Sequence, residues 1–164
     1  MTDAFEIEAE AYEGIDVLEI ASEELFKHAA RVMNSWRDNL RRGEGAGGSH
    51  GSPFVNSGEA ANDVTVDPPR EGELEYVVGG DVIQLLIAEW GRAPGSMPPP
   101  EPIEDWMREQ LGESDPEPFP VQKHIEEQGI EGFEPARGAD EEHRDELSEN
   151  VADRLSEAVD EEAV

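Results

Sequence analysis

Cysteine is absent from this chain of 164 residues, and lysine is rare, since Lys27 and Lys123 are the only two. Without cysteine the chain can form neither a disulfide nor a thiolate metal site. Its apolar runs all fall short of the ~20 residues that a helix needs to cross a bilayer. The first residues, Met-Thr-Asp-Ala-Phe-Glu, lack the basic and apolar regions of a signal peptide. We therefore expect a soluble protein that is made in the cytoplasm and has no membrane partner.

Basic side chains as a class are also few. The chain has 12 lysines and arginines against 41 acidic residues, and its net charge is −29. Such a composition is typical of proteins that work in molar salt, where the Debye length is only ~3 Å and like charges scarcely repel. It favours a halophilic source. A DNA mimic, whose carboxylates imitate phosphates, is the competing interpretation, and nucleic-acid binding through a broad basic face is disfavoured.

Apolar residues make up 36% of the chain, which also has 16 glycines and 12 prolines. The length and composition predict one domain over residues 1–164 with a good deal of loop. From the order of elements along the chain we expect an α+β fold, with a small antiparallel sheet packed by a long N-terminal helix, short helices and an acidic C-terminal helix. Residues 43–58 are expected to form a flexible glycine-rich loop, and residues 157–164 a frayed end.

The N-terminal quarter carries two periodic signals. Alternation over residues 5–12 predicts a half-buried edge strand. Asp16 and Glu19 then have the spacing of a capping box, which begins a helix that runs to about Leu40. Its apolar stripe, which predicts a core-facing side, is Leu18, Ala21, Leu25, Ala29, Val32, Trp36 and Leu40.

Basic residues also lie along this helix, and two interpretations of them stay open. They could cap the helix and form ion pairs within it, as expected for cations near a helix C-terminus. They could instead form a basic patch that meets an acidic face of the next subunit. The residues concerned include Arg31, Arg37, Arg41 and Arg42.

The middle of the chain reads as loop, hairpin and buried helix. Six glycines within residues 43–58 argue against a regular element there. Strands are predicted over residues 62–66 and 73–78, joined as a hairpin. Asp81 is expected to cap a helix over residues 82–90 that is apolar on most sides and therefore buried, with Gly91 ending it.

The rest of the chain is predicted to be helical around a stiff proline turn. Helices are expected over residues 101–111, 119–128 and 140–161, with Gly129 ending the second. Predicted buried positions in these helices are Ile103, Trp106, Met107, Leu111, Val121, Ile125, Leu147, Val151, Leu155, Ala158 and Val159. Ile130 and Phe133 are expected to be apolar anchors in an extended segment.

Core packing is the preferred interpretation of Trp90 and Trp106, with an interface role as the alternative. The proline turn between them is the better interface candidate, because a rigid segment loses little entropy on binding. The other interface candidate is the glycine-rich loop at residues 43–58, which could become ordered only when the subunits assemble. The candidate interface residues are Arg31, Arg37, Arg41, Arg42, Phe54, Trp90, Arg92, Met97, Pro98, Pro99 and Pro100.

Nothing in the sequence indicates catalysis. Carboxylate pairs are expected by chance among 41 acidic residues, and no spacing singles out a glycosidase-like pair. The histidines have no partners at metal-ligand spacing. We expect no enzyme activity, cofactor or metal.

The order of motifs from residue 55 onward resembles the neck and tail-completion proteins of tailed phages. Members of this family carry a Val-Asp-Thr-Gly-x-Leu-x-x-Ser-Ile motif after a long helix and a loop. Residues 55–64 (Val-Asn-Ser-Gly-Glu-Ala-Ala-Asn-Asp-Val) stand in its place, with Ala60 for Leu and Asp63 for Ser. Family members continue with a hairpin and a short helix that ends in Glu-aromatic-Gly-Thr, matched here by residues 89–92 with Arg92 for Thr.

A proline-rich turn follows in the family, and residues 97–100 (Met-Pro-Pro-Pro) match it. The next matching features are a helix that closes on Gly129 and Ile130, and an aromatic-Pro step approximated by residues 133–135 before the C-terminal helix. The similarity extends over about residues 5–160.

This resemblance implies a structural role at the joint between the head and the tail of a tailed virus. The family forms rings, by tail symmetry hexamers, that terminate the tail tube and face the head-closure or connector complex. The partners would then be further copies of this chain, the tail tube protein and the connector proteins. Genomic DNA would pass through the lumen. The acidic composition suggests a virus of haloarchaea. An adaptor subunit nearer the portal is one alternative, and a DNA-mimic inhibitor is another.

Overall fold

The expected α+β architecture is confirmed by a computed structural model, which describes residues 16–49, 58–70 and 73–162. The predicted strand at residues 5–12 and Phe54 lie outside these ranges. In chain order the elements are α1 (Val17–Arg42), β1 (Glu44–Gly45), β2 (Gly48–Ser49), α2 (Glu59–Asp63), β3 (Thr65–Asp67), β4 (Val77–Gly79), α3 (Ile83–Trp90), α4 (Pro100–Trp106) with a π-helical turn (Met107–Leu111), α5 (Phe119–Gln128), α6 (Pro135–His143) and α7 (Glu146–Glu162). No helix of the described residues combines the length and apolar character needed to span a bilayer.

Helix α1 begins and ends as its sequence predicts. The Glu19 amide donates to the Asp16 carboxylate (3.0 Å), which satisfies one of the free amides of the first turn. Gly43 ends the helix in the left-handed region (φ 67°), where a residue without Cβ is favoured.

The predicted stripe of α1 is only partly correct. Ala21, Ala29 and Leu40 are buried, but Leu18 is 61% exposed. Near its N-terminus α1 meets α7 through Glu24, which is buried and lies 3.7 Å from Arg154. Leu18 lies about 120° around the helix axis from Glu24 and so faces away from α7.

Residues 58–67 form a helix and then a strand, which corrects the strand predicted over residues 62–66. Ala60 and Ala61 have high helix propensity, and both are buried in the core as part of α2. Strand β3 follows and pairs antiparallel with β4, with Val66 opposite Val78. The predicted hairpin is therefore confirmed, although its second strand is Val77–Gly79 rather than residues 73–78.

The glycine-rich segment after α1 contains a small antiparallel ladder, β1 with β2, so the expectation that it holds no regular element was wrong. Glycine is needed here because the segment crosses the backbone at Phe133 and Glu134. A Cβ at Gly45 would overlap with those two residues. The crossing is fixed by amides of Ala46 and Gly47, which donate to the carbonyls of Glu134 and Phe133 (both 3.1 Å).

The core lies between the C-terminal half of α1, α2, α3 and the segment before α6. Its buried members are Leu40, Ala60, Ala61, Val64, Leu85, Ala88 and Phe133. Phe133 is 3% exposed, so its predicted role as an anchor is confirmed. Around this core α1 packs against α6 and α7.

Residues 93–129 form a helical arm in which α4 and α5 pack on each other. At the base of the arm, Arg92 and Ile130 exchange two backbone hydrogen bonds of 2.8 Å. Inside the arm, the buried residue of α5 is Gln122, which donates to the Pro98 carbonyl (2.7 Å). Val121 and Ile125, expected to be buried, are only half-buried.

Two helices replace the single C-terminal helix predicted over residues 140–161. Helix α6 already begins at Pro135, and α7 follows a two-residue turn. Val151 is buried as predicted, whereas Val159 is 37% exposed. Leu111, at the end of the π-helical turn, is also exposed rather than buried.

The crossing of residues 89–91 with Gly132 gives a test of the fold. A Cβ at Gly132 would lie 2.6 Å from the Glu89 carbonyl oxygen and 2.6 Å from the Gly91 nitrogen, both backbone atoms. Gly132→Ala should therefore destabilise the fold by about 1–3 kcal/mol, as overpacking does. Gly79→Ala is the control, because a Cβ at Gly79 meets nothing within 4 Å. Thermal unfolding followed by circular dichroism measures both, and equal unfolding midpoints for the two variants would contradict the crossing.

Candidate functional site

Helix α3 is held at its N-terminus by a carboxylate from α2. The Asp63 side chain accepts from the amides of Asp81 (2.6 Å) and Val82 (3.0 Å). Asp81 itself makes no side-chain cap, so its predicted capping role was wrong; the N-cap residue is Val82. Asp63 is the last residue of α2, whose Ala60 and Ala61 are buried in the core, and this anchoring holds its carboxylate beside the two amides.

The C-terminal end of α3 is fixed to the segment that begins α6. The Ala88 carbonyl accepts from the amides of Phe133 (2.9 Å) and Glu134 (3.2 Å). The Glu89 carboxylate accepts from the amides of Ala136 (2.9 Å) and Arg137 (3.2 Å). Glu89 thus caps the first turn of α6, where a negative charge also suits the helix dipole.

With both ends fixed, α3 has one buried and one exposed side. Leu85 and Ala88 face the core. Ile83, Leu86 and Trp90 are 61%, 50% and 76% exposed. Their spacings of three and four put them on one side of the helix, and we call them the α3 outer face.

This face corrects two expectations. Helix α3 was expected to be buried, and core packing was the preferred interpretation of Trp90 over an interface role. Both were wrong because the core covers only one side of α3. The α3 outer face exposes on the order of 400 Å² of apolar surface, the size of the largest apolar patch on a typical monomer, which is often functional.

The α3 outer face is also free of charge, although the chain has 41 acidic residues. Glu89 is the single charged residue of α3, and it is engaged with α6. Arg92, two residues past Trp90, donates to the Ser96 carbonyl (2.9 Å) and hydroxyl (3.0 Å). Arg92 forms no ion pair within the described ranges, so its positive charge is available to a partner at the edge of the face.

A second exposed apolar patch lies at the N-terminal half of α1 and was missed from the sequence. Tyr76 packs on Phe26 with ring centroids 5.7 Å apart and shares a hydrogen bond with Ser22 (3.2 Å). Leu18 and Phe26 are 61% and 52% exposed. They stand one turn to either side of Ser22, and this i, i+4, i+8 spacing was the signal that could have revealed the patch.

Leu74, which is 40% exposed, lies two residues before Tyr76 in the segment that leads into β4. We call Leu18, Phe26, Leu74 and Tyr76 the aromatic patch. Like the α3 outer face, it presents apolar side chains that the described part of the chain leaves uncovered.

Some residues of the proline turn are buried by packing, and others are exposed. Pro98 is buried, and its carbonyl accepts from Gln122 within the arm. Met97 is 39% exposed and Pro99 is exposed, while Pro100 is half-buried as the first residue of α4. Only Met97 and Pro99 are thus well placed to meet a partner.

The basic residues of α1 are engaged inside the chain. Arg37 donates to the Val64 carbonyl through Nε (3.0 Å) and Nη2 (2.7 Å), which ties α1 to the start of β3. Arg31 lies 3.4 Å from Glu146, Arg41 lies 3.0 Å from Asp38, and Arg42 lies 3.5 Å from Glu44. These contacts match the interpretation as capping and ion pairing, although the exposed pairs are weak.

Two histidines meet where α1 packs on α6 and α7. His143 shares a hydrogen bond with Ser35 (2.8 Å) through Nε2, and its Nδ1 lies 3.4 Å from the Glu146 carboxylate without hydrogen-bond geometry. The Nδ1 of His28 is buried and has no hydrogen-bond partner. Burial lowers the pKa of His28. The nearby positive charges of His143 and Arg31 lower this pKa further, whereas the carboxylates of Asp140 and Glu146 raise it.

No metal site is found in the described residues. Within residues 16–49, 58–70 and 73–162, no group of three or more histidine or carboxylate side chains is placed to hold a metal ion. An open groove of about 320 Å³ lies along the β3–β4 hairpin. Its lining residues are all exposed: Asp67, Pro68, Arg70, Glu73, Glu75 and Val77. The side chains that line this groove are therefore open to solvent.

His28 predicts a pH dependence of stability. The fold lowers the pKa of His28 below its ordinary 6.5, so that below this pH the unfolded chain binds a proton at His28 more readily than the folded chain does. Its contribution to stability is therefore full above pH 6.5 and is lost as the pH falls below that value. His28→Gln should flatten the decrease of the thermal midpoint in this window, measured at constant salt. His124→Gln, at an exposed histidine, is the control, and equal slopes for wild type and His28→Gln would refute the assignment.

Comparisons with protein-family models, with curated proteins and with solved structures gave no match to this chain. Function is therefore inferred from the two uncovered apolar surfaces and from the order of motifs along the chain.

Proposed function

We propose that this chain is a structural virion protein that joins head to tail in a tailed virus of a haloarchaeal host. It forms a ring, a hexamer by the symmetry of the tail, which terminates the tail tube and docks to the head-closure or connector complex. The observation that carries the proposal is the exposed Trp90 at the end of a firmly held helix. Large exposed aromatic side chains are typical of the centres of protein interfaces.

The order of the elements supports this proposal. The family resemblance predicts a long helix, a hairpin, a short helix ending in Glu-aromatic-Gly, a proline-rich turn and a closing helix. These elements occur in that order as α1, β3 with β4, α3, residues 97–100 and α5. Gly129 ends α5, and Phe133 anchors the step into α6.

The distribution of charge supports a lumen through which DNA passes without being held. Most basic side chains of the described residues are paired within the chain, for example Arg108 with Glu104 (3.0 Å) and Lys123 with Glu126 (2.7 Å). Tight DNA binding requires lysine and arginine that are free to contact phosphates. A surface dominated by carboxylates lets DNA slide past.

The DNA-mimic alternative fits the charge but not the apolar surface. A mimic needs carboxylates spaced like phosphates, and an uncharged face centred on Trp90 adds nothing to that imitation. An adaptor subunit nearer the portal would use the same surfaces, and its position in the particle distinguishes it from a subunit at the end of the tail.

Immunogold labelling of tailed virus particles that encode this chain tests the proposal. Antibodies raised against the full chain should label the junction of head and tail, and not the capsid surface or the tail tip. Antibodies against the major capsid protein of the same particles are the control. Label elsewhere on the particle, or particles that contain no copy of this chain, would refute a head–tail joining role.

A further inference from the structure

We infer that the α3 outer face of one copy docks on the aromatic patch of the next copy. This deepens the proposed function and rests on it, because a ring needs a contact that repeats from subunit to subunit. Self-association through two different surfaces, called heterologous, builds closed rings when the rotation between neighbours closes. The occupant of each patch is thus a second copy of this chain.

The two patches are separate, as a heterologous contact requires. The α3 outer face lies on residues 83–90, whereas the aromatic patch is formed by the N-terminal half of α1 and residues 74–76, before β4. The two surfaces share no residue, so one copy can offer each of them to a different neighbour.

The two patches supply enough apolar area for the centre of an interface, and the polar surface around them must supply the rest. Together the two patches expose on the order of 700 Å² of apolar surface. A standard interface buries about 1,200–2,000 Å² in total, with an apolar centre and a polar rim. Trp90 on one side and Phe26 with Tyr76 on the other supply the aromatic side chains that dominate such centres.

The charges at the two rims are complementary. Arg92, beside the α3 outer face, has no ion pair in the part of the chain that the structure describes. Glu73 and Glu75 flank Leu74 in the aromatic patch and are exposed. Docking brings the guanidinium towards these carboxylates, while the same carboxylates repel nucleic acid and anionic lipid.

Salt concentration decides whether this contact forms. Two copies with a net charge of −29 each repel one another strongly in dilute buffer. In molar KCl the Debye length falls to about 3 Å, so that only charges in near contact interact. The apolar contact then brings the copies together.

Sedimentation velocity of the full chain in about 3 M KCl, where screening is strong, tests this contact. Wild type should sediment as a ring-sized oligomer. Trp90→Gln and Phe26→Gln should each weaken self-association at least about tenfold, as expected for an aromatic residue at an interface centre. Phe119→Gln is the matched control, because Phe119 is 61% exposed on α5, outside both patches. Glutamine leaves the net charge unchanged in all three, and far-UV circular dichroism checks that each variant is folded.

Mixing the two patch variants gives the decisive result. The Trp90→Gln copy keeps its aromatic patch, and the Phe26→Gln copy keeps its α3 outer face. An equimolar mixture should therefore form a dimer, while each variant alone stays monomeric. A mixture that stays monomeric, or a Phe26→Gln variant that dimerises alone through two α3 faces, would overturn the inference.

The remaining outcomes separate this inference from the proposed function. If both patch variants assemble as wild type does, the contact is wrong while head–tail joining stands. If wild type is monomeric at every salt concentration, self-docking is again wrong, and immunogold labelling still decides the role in the particle. If labelling fails while the mixture dimerises, the contact stands and the role is wrong.

Discussion

The fixed position of helix α3 is the constraint on which the rest of the structure depends. Asp63 binds the amides that enter the helix, and the Ala88 carbonyl and Glu89 carboxylate bind the segment that begins α6. Rotating α3 to bury Trp90 would break these hydrogen bonds and expose Leu85. The loss of a partner would be most costly at the Ala88 carbonyl, because Ala88 is buried, and together with the exposure of Leu85 it favours the present orientation of the helix. The exposed apolar face is therefore built into the fold and does not result from loose packing.

Apolar surface and charge are separated on this chain, and the separation defines how it can associate. Acidic side chains outnumber basic ones by 41 to 12 and keep the surface hydrated, and most of the cations form ion pairs within the described residues. Association then depends on the two uncharged patches, one beside Arg92 and the other beside Glu73 and Glu75. A subunit of this kind would assemble with itself and leave DNA unbound, as the proposed joint between head and tail requires.

Much of the fold could be predicted because its signals are local. The Asp16 cap, the period of α1, the bounds of α5 and the stop at Gly129 follow from neighbouring residues alone. The exposure of α3 could not be predicted, since its uniform apolar composition does not say how many sides the core covers. Other features depend on contacts between residues far apart in the chain. Asp63 has the capping role expected of Asp81, and the backbone at Phe133 and Glu134 binds the turn between β1 and β2 in the glycine-rich segment.

A reconstruction of the particle's neck by electron cryomicroscopy, at a resolution that shows side chains, tests the central claim most directly. The account predicts a ring of this chain between head and tail in which Trp90 is buried at the boundary between adjacent copies. A neck in which the chain is present but Trp90 faces solvent or the lumen would contradict it.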